Sequence, residues 1–269
     1  MVETAEFTLT GHVGGVYVRR WRADAGPPRY SVLLVHGYGQ HVGWYEHVAE
    51  HLVADGAVVY GMDHAGHGRS AGERALVEDA TGLLDDLHLV HELVSAQHPD
   101  VPVTLVGHSM GGLLGARYAQ LHGGSLAAVV LSSPALGRWA VLDALMASPE
   151  LAQAPIDPAI LSRDPAVGEA YQSDPLIWRG PFRRPTLEAM QQLMASVHEA
   201  GALSGCPVLW LHGADDQLVP YEGTASGWQR YGVHGEAKAY PQARHEIFKE
   251  INKDEVLNDV TSFLRRHVG

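Results

Sequence analysis

Residues 107–111 read Gly-His-Ser-Met-Gly and lie between an apolar run from Val103 to Val106 and a second from Leu113 to Leu121. A serine flanked by glycines, where an extended run gives way to a helical one, commits the chain to a sharp strand-to-helix turn. Gly107 and Gly111 leave room where the backbone bends, and Gly112 lets the helix lie close to the sheet. Such a turn lifts the serine oxygen from the end of a strand, and the first-turn amides of the helix point at any negative charge formed beside it. Ser109 is therefore the candidate nucleophile. The same five residues also occur as a plain turn, so the rest of the chain must supply the partners the chemistry needs.

An attacking serine needs a base to take its proton and a carboxylate to orient that base and stabilise its imidazolium form. When the nucleophile sits on a turn of this kind, the chain order is serine, then Asp or Glu, then His. Downstream, the apolar run Val208 to Leu211 ends in the loop Gly213-Ala214-Asp215-Asp216-Gln217-Leu218-Val219. Two aspartates compete for the carboxylate role. The pattern G-x-x-D-x-x-V favours Asp216 and leaves Asp215 as a solvated loop residue. A short run from Ala237 to Tyr240 is followed by a loop carrying His245, which has the position of the base. Seventeen histidines dilute the meaning of any single one. His108 adjoins the nucleophile, but neighbouring residues on an extended strand point to opposite faces. His36, His64, His67 and His212 stand near loop ends and read as structural hydrogen-bonders.

The run Ser31 to Val35 leads straight into His36-Gly37-Tyr38-Gly39-Gln40-His41. An oxyanion needs two convergent backbone donors, one after the nucleophile and one from the loop after such a strand. These are assigned to the amides of Met110 and Tyr38.

At this point the chain resembles the monoacylglycerol lipase and lysophospholipase-like branch of the α/β-hydrolases, over nearly its whole length. The resemblance is carried by 36–41, by Met62-Asp63-His64-Ala65-Gly66-His67-Gly68-Arg69-Ser70, by 107–112, by Leu131-Ser132-Ser133-Pro134, by Tyr171-Gln172-Ser173-Asp174-Pro175-Leu176, and by Ala243-Arg244-His245-Glu246. It implies a triad of Ser109, Asp216 and His245, an ester hydrolase, and neither metal nor cofactor. It also implies that Tyr171 lies near the alcohol end of the substrate. The chain departs from the pattern at Gln40, where members commonly carry Glu, and at Phe248, a position that is polar in some relatives.

Composition sets the frame. With 269 residues, 46% of them hydrophobic, the chain is long enough for one large α/β unit. Its net charge of −12 argues against nucleic acid as a partner. No apolar stretch has the length of a membrane span, and the acidic start lacks the features of a signal peptide. The single Cys206 excludes an internal disulfide, and the cytoplasm is the default compartment. The expected partner is a small-molecule lipid ester, with transient lipid-surface contact through a cap, in a monomer or weak homodimer.

Eight apolar runs alternate with helical patterns, the signature of a mostly parallel eight-stranded sheet covered by helices on both faces. The runs are 7–9, 16–21, 31–35, 57–62, 103–106, 127–131, 207–211 and 237–240, and the first two pair as a hairpin through Gly11, Gly14 and Gly15. Leu83, Leu87, Val90 and Val94 fall at helical spacing, so a surface helix is expected from about Asp79 to Gln97. The alternation breaks at 136–200, where Pro149, Pro155, Pro158, Pro165, Pro175, Pro181 and Pro185 exclude long strands. This segment reads as a cap of short helices inserted after a sheet strand, with 1–135 and 201–269 as the core. Trp139, Leu142, Ile177, Tyr171 and Phe248 are the candidate substrate-binding residues. Asp63, His64 and His67 have metal-ligand chemistry, but their glycine-rich spacing reads as a turn whose side chains bond one another.

The expected reaction is ester hydrolysis through an acyl-enzyme, with activity falling on acidification near an ordinary His pKa of about 6.5. The rival readings are a lysophospholipase, a short- or medium-chain carboxylesterase, and a non-catalytic or acyl-transfer member of the same fold.

Overall fold

The computed structural model describes residues 1–232 and 234–269. Its strands are β1 (Val2–Thr10), β2 (Gly15–Ala23), β3 (Tyr30–Val35), β4 (Ala57–Met62), β5 (Val103–His108), β6 (Ala128–Ser132), β7 (Val208–Gly213) and β8 (Glu236–Tyr240). They form one eight-stranded sheet in the order β1-β2-β4-β3-β5-β6-β7-β8. β1 and β2 pair antiparallel as a hairpin, closed by a 2.7 Å bond from the Gly11 amide to the Gly14 carbonyl. β2 runs antiparallel to β4, and every later pairing is parallel. All eight expected strands are present. β1 reaches six residues beyond its apolar run, carried by its pairing with β2 from Val2 opposite Ala23 to Thr10 opposite Gly15.

The helices are α1 (Glu46–Ala54), α2 (Ala80–Gln97), α3 (Met110–His122), α4 (Ala140–Ala147), α5 (Pro149–Gln153), α6 (Pro165–Ser173), α7 (Arg184–Ala200), α8 (Tyr221–Tyr231) and α9 (Lys253–Val268). Alternation along the strands divides the core into two layers. Val32, Leu34, Val106 and Val130 face α1 and α9. Leu33, Val35, Leu105 and Leu131 face α2, α3, α7 and α8. The interior strands are buried on both sides, which is why β3, β5, β6 and β7 read as continuous apolar runs. α2 starts where the Asp79 carboxylate caps the Thr81 amide at 2.8 Å, and Leu83, Leu87, Val90 and Val94 are all buried.

Between β6 and β7 the chain forms α4 to α7, and here the expectation of short helices needs correcting. α7 runs for 17 residues, with Leu187, Met190, Leu193 and Val197 buried in the same layer as α3. After Pro185 the segment has no further proline before Ala200, and its apolar residues recur at helical spacing, so a long helix is what that stretch dictates. No helix among the described residues is long and apolar enough to cross a membrane.

Candidate active site

The ends of β3, β5, β7 and β8 lie at one edge of the sheet, the carboxyl edge at which open α/β sheets bind ligands. Ser109 stands between β5 and α3 with φ 55° and ψ −118°, a conformation that non-glycine residues rarely adopt. The neighbours hold it there. The Ser109 amide donates to the Ser132 carbonyl at 2.9 Å. A Cβ at Gly107 would stand 2.3 Å from the Gly111 carbonyl oxygen, and one at Gly111 would stand 2.2 Å from that of Val35. Both contacts are with backbone that has nowhere to move, so the turn tolerates only glycine at either place.

The loop after β7 and the loop after β8 bring Asp216 and His245 together. His245 Nδ1 donates to Asp216 Oδ2 at 2.7 Å, and His212 Nε2 lies 3.3 Å from the same oxygen. Asp216 Oδ1 accepts the amides of Leu218 at 2.9 Å and Val219 at 2.8 Å. Burial works to raise the Asp216 carboxyl, but the charge on His245 and hydrogen bonds from His212 and His245 hold it well below the carboxylate range. Burial likewise works to lower His245, and Asp216, with Glu246 behind it, raises it above an ordinary histidine. Asp215 is exposed. Ser133, which sequence reasoning passed over, fixes the back of the base by donating from Oγ to the His245 carbonyl at 3.1 Å.

The loop after β3 closes on Ser109. A Cβ at Gly37 would lie 3.2 Å from the Ser109 Cβ, and Tyr38 and Met110 line the same cavity as Ser109 and His245. Met110 is the first residue of α3, where amides have no partner within the helix. The Tyr38 ring stacks on Phe182 at 5.3 Å and meets His67 edge-on at 5.7 Å, tying this loop to the segment between α6 and α7.

Under the loop, His36, His64 and His67 are buried with ring centroids 4.2 to 6.1 Å apart. The expected bonding of these side chains to one another is not what forms. His36 Nε2 accepts the His64 amide at 3.0 Å, His64 Nε2 donates to the His36 carbonyl at 3.0 Å, and His67 Nδ1 donates to the Ala65 carbonyl at 2.9 Å. Asp63 accepts the amides of Val42 and Arg69 at 2.7 Å each. In this tight a turn the nearest groups in need of partners are backbone ones, and they win the side chains.

Sequence reasoning also missed a buried carboxylate. Glu246 is 1% exposed and accepts from Gln40 Nε2 at 2.5 Å and from Trp44 Nε1 at 3.3 Å. His108, bonded through Nδ1 to Ser132 Oγ at 2.9 Å, brings Nε2 to 3.3 Å from the same Glu246 oxygen that Gln40 holds. His108, His245 and Glu246 place one donor atom each within 4.8 Å of one another, a grouping whose atom types would suit a cation. His245 and Glu246 are already committed to Asp216 and Gln40. The signal available in the sequence was the acidic residue next to the candidate base.

The site opens into a cavity of about 760 Å³, counting its mouth. Its polar end holds Ser109, His245, Gln40 and Glu246, and its walls include Leu113, Trp139, Ile156, Leu161, Phe182 and Met190. Tyr171 and Trp139 are on its wall. Leu142, Ile177 and Phe248 are not among its lining residues; each is buried in one of the two core layers, against neighbouring helices and strands.

A model of the family described as serine aminopeptidase, S33, matches residues 26–252. The monoacylglycerol lipase of Mycolicibacterium smegmatis is 36% identical over 98% of this chain and 98% of its own length. The monoglyceride lipase of Homo sapiens is 31% identical over 91% of this chain and 84% of that protein. Among solved structures, the monoacylglycerol lipase of Paleococcus ferrophilus superposes with a TM-score of 0.76 at 27% identity, covering 99% of each chain.

Proposed function

The chain belongs to the serine aminopeptidase, S33, family of α/β-hydrolases, and from that membership we propose that it hydrolyses monoacylglycerols to fatty acid and glycerol, with Ser109 as nucleophile, His245 as base and Asp216 as the group that orients it. The observation that carries this reading is the cavity, in which an apolar wall runs up to Ser109 and His245 beside a polar end. An acyl chain needs such a wall while its ester meets the catalytic groups. The similarity to lipases named for monoacylglycerol supports the substrate class.

In the proposed reaction His245 Nε2 takes the proton of Ser109 as its oxygen attacks the ester carbonyl. The new imidazolium is held by Asp216 through the 2.7 Å bond at Nδ1. The amides of Tyr38 and Met110 receive the oxyanion. His245 then protonates the departing alcohol, and water repeats the two steps on the acyl-enzyme. Residues 136–200 serve as the cap that builds the cavity roof, on a core of 1–135 and 201–269. The chain acts as a cytoplasmic monomer or weak homodimer that meets lipid surfaces transiently through the cap.

The test compares kcat/KM for monooleoylglycerol, lysophosphatidylcholine and p-nitrophenyl butyrate. The reading expects monooleoylglycerol to exceed lysophosphatidylcholine by at least tenfold. A lead for lysophosphatidylcholine, or cleavage of the short ester alone, overturns the substrate assignment.

A further inference from the structure

The proposed reaction leaves unused a buried carboxylate beside the base, Glu246. Glu246 has no Lys or Arg within ion-pair distance among the described residues; the basic group that approaches it is His108, at 3.3 Å. Lys249 is nearby but sits over the Trp44 ring at 4.1 Å. The carboxylate is instead held by two neutral donors, the Gln40 amide and the Trp44 indole. Gln40 is itself oriented, since its Oε1 accepts from the Gly37 amide at 3.0 Å and from Tyr45 Oη at 2.5 Å, leaving Nε2 free to donate. Two donors converging on one carboxylate suit an ionised Glu246.

Resting on the reading of Ser109 and His245 given above, we propose that Glu246 is a positioning residue that acts through His245, supplying from behind the base a second buried negative charge that stabilises its imidazolium during acyl transfer. The neutrality of Gln40 is part of the device. A carboxylate at that position would face Glu246 across a 2.5 Å contact, and two carboxylates that close share a proton.

The groups that face His245 can be enumerated. From the loop after β7 come Asp216 and, behind it, His212 of β7. From β5 comes His108, with ring centroids 4.8 Å apart. From the loop after β8 comes Glu246, within 4.8 Å by donor atoms, with Lys249 beyond it. Burial pushes His108 below an ordinary histidine, while the neighbouring Glu246 charge works to raise it. Burial alone would raise Glu246, but His108, His245 and Lys249 hold it at about 2, so its charge is present throughout that range.

The experiment is the pH profile of kcat/KM for p-nitrophenyl butyrate, which reports the free enzyme's base. The enzymes compared are the native chain, Glu246→Gln, and the exchange variant Gln40→Glu with Glu246→Gln. The isosteric Glu246→Gln is expected to move the acid limb down by about one pH unit. The exchange variant, which returns the charge across the same hydrogen bond, is expected to bring the limb back. An unmoved limb in a folded Glu246→Gln overturns the proposal, because a purely structural role would lower the plateau without moving the limb. Should the single variant fail to fold, the exchange variant decides: a limb at the native pH supports the proposal, and one displaced by a unit overturns it. Ser109→Ala is run alongside, and turnover by that variant overturns the parent reading and this one together.

Discussion

Asp216 spends one carboxylate oxygen on the loop that carries it and the other on His245. Oδ1 takes the Leu218 and Val219 amides at 2.9 and 2.8 Å, and Oδ2 takes His245 Nδ1 at 2.7 Å. The first pair of bonds aims the second. Asp216→Asn keeps the shape and offers His245 the wrong partner, so kcat is expected to fall by about 10⁴-fold. Asp215→Asn, at an exposed position, is expected to leave kcat within twofold of native. Equal losses in the two variants, measured at saturating substrate, would contradict the choice between them.

The pH dependence of activity follows from the same pair. His245 must be neutral to accept the serine proton, and although burial opposes it, Asp216 and Glu246 raise its pKa. The acid limb of kcat/KM is therefore expected above the ordinary value of about 6.5, with activity lost as pH falls through it. A profile that stays flat down to pH 5 would remove His245 from the role of base.

Stability has a separate acid dependence, set under the loop after β3. Burial pushes His64 down to about 3, helped by neighbouring His67, and burial pushes His67 down to about 4. Burial also holds His36 well below the ordinary value. The unfolded chain takes up protons on these histidines below about pH 6.5 while the folded one does not, so stability is full above that pH and is lost as pH falls toward 4. At pH 5 His64 and His67 each cost about 2 kcal/mol. Calorimetry at pH 7.5 and pH 5 is expected to show Tm falling by roughly 10 °C. An unchanged Tm would mean that the three rings are hydrated.

Chain-length preference is assigned to the cavity wall. Ile156 lines it from the segment between α5 and α6 and is only half-buried, at the edge of the core layer it packs against, so a larger side chain there reaches into the cavity. Ile156→Trp is expected to lower kcat/KM on monooleoylglycerol about tenfold while sparing monobutyrin. Equal losses on both glycerides would place the acyl chain elsewhere.

The features legible in the sequence were those written in local pattern. The turn around Ser109, the alternating runs and the helix with Leu83, Leu87, Val90 and Val94 on its inner face depend on residues close together in the chain. The pairing of Asp216 with His245 spans 29 residues, and it was legible because the sheet order brings strand ends to one edge. What was missed depends on contacts with no local signature. The Gln40 to Glu246 bond joins residues 206 apart. Leu142, Ile177 and Phe248 are apolar residues of the right type whose orientation is decided by tertiary packing, as is that of Leu161 and Met190, which do reach the cavity. The length of α7 follows from where the prolines stop, at Pro185, and not from their number across 136–200.

The measurement that bears most directly on the central claim is kcat/KM on monooleoylglycerol for the native chain and for Ser109→Ala, with folding of both checked by circular dichroism. Steady turnover by the native chain and a loss on the order of 10⁶-fold in the variant are expected. Turnover by Ser109→Ala within tenfold of native, or none by the native chain, would contradict the account.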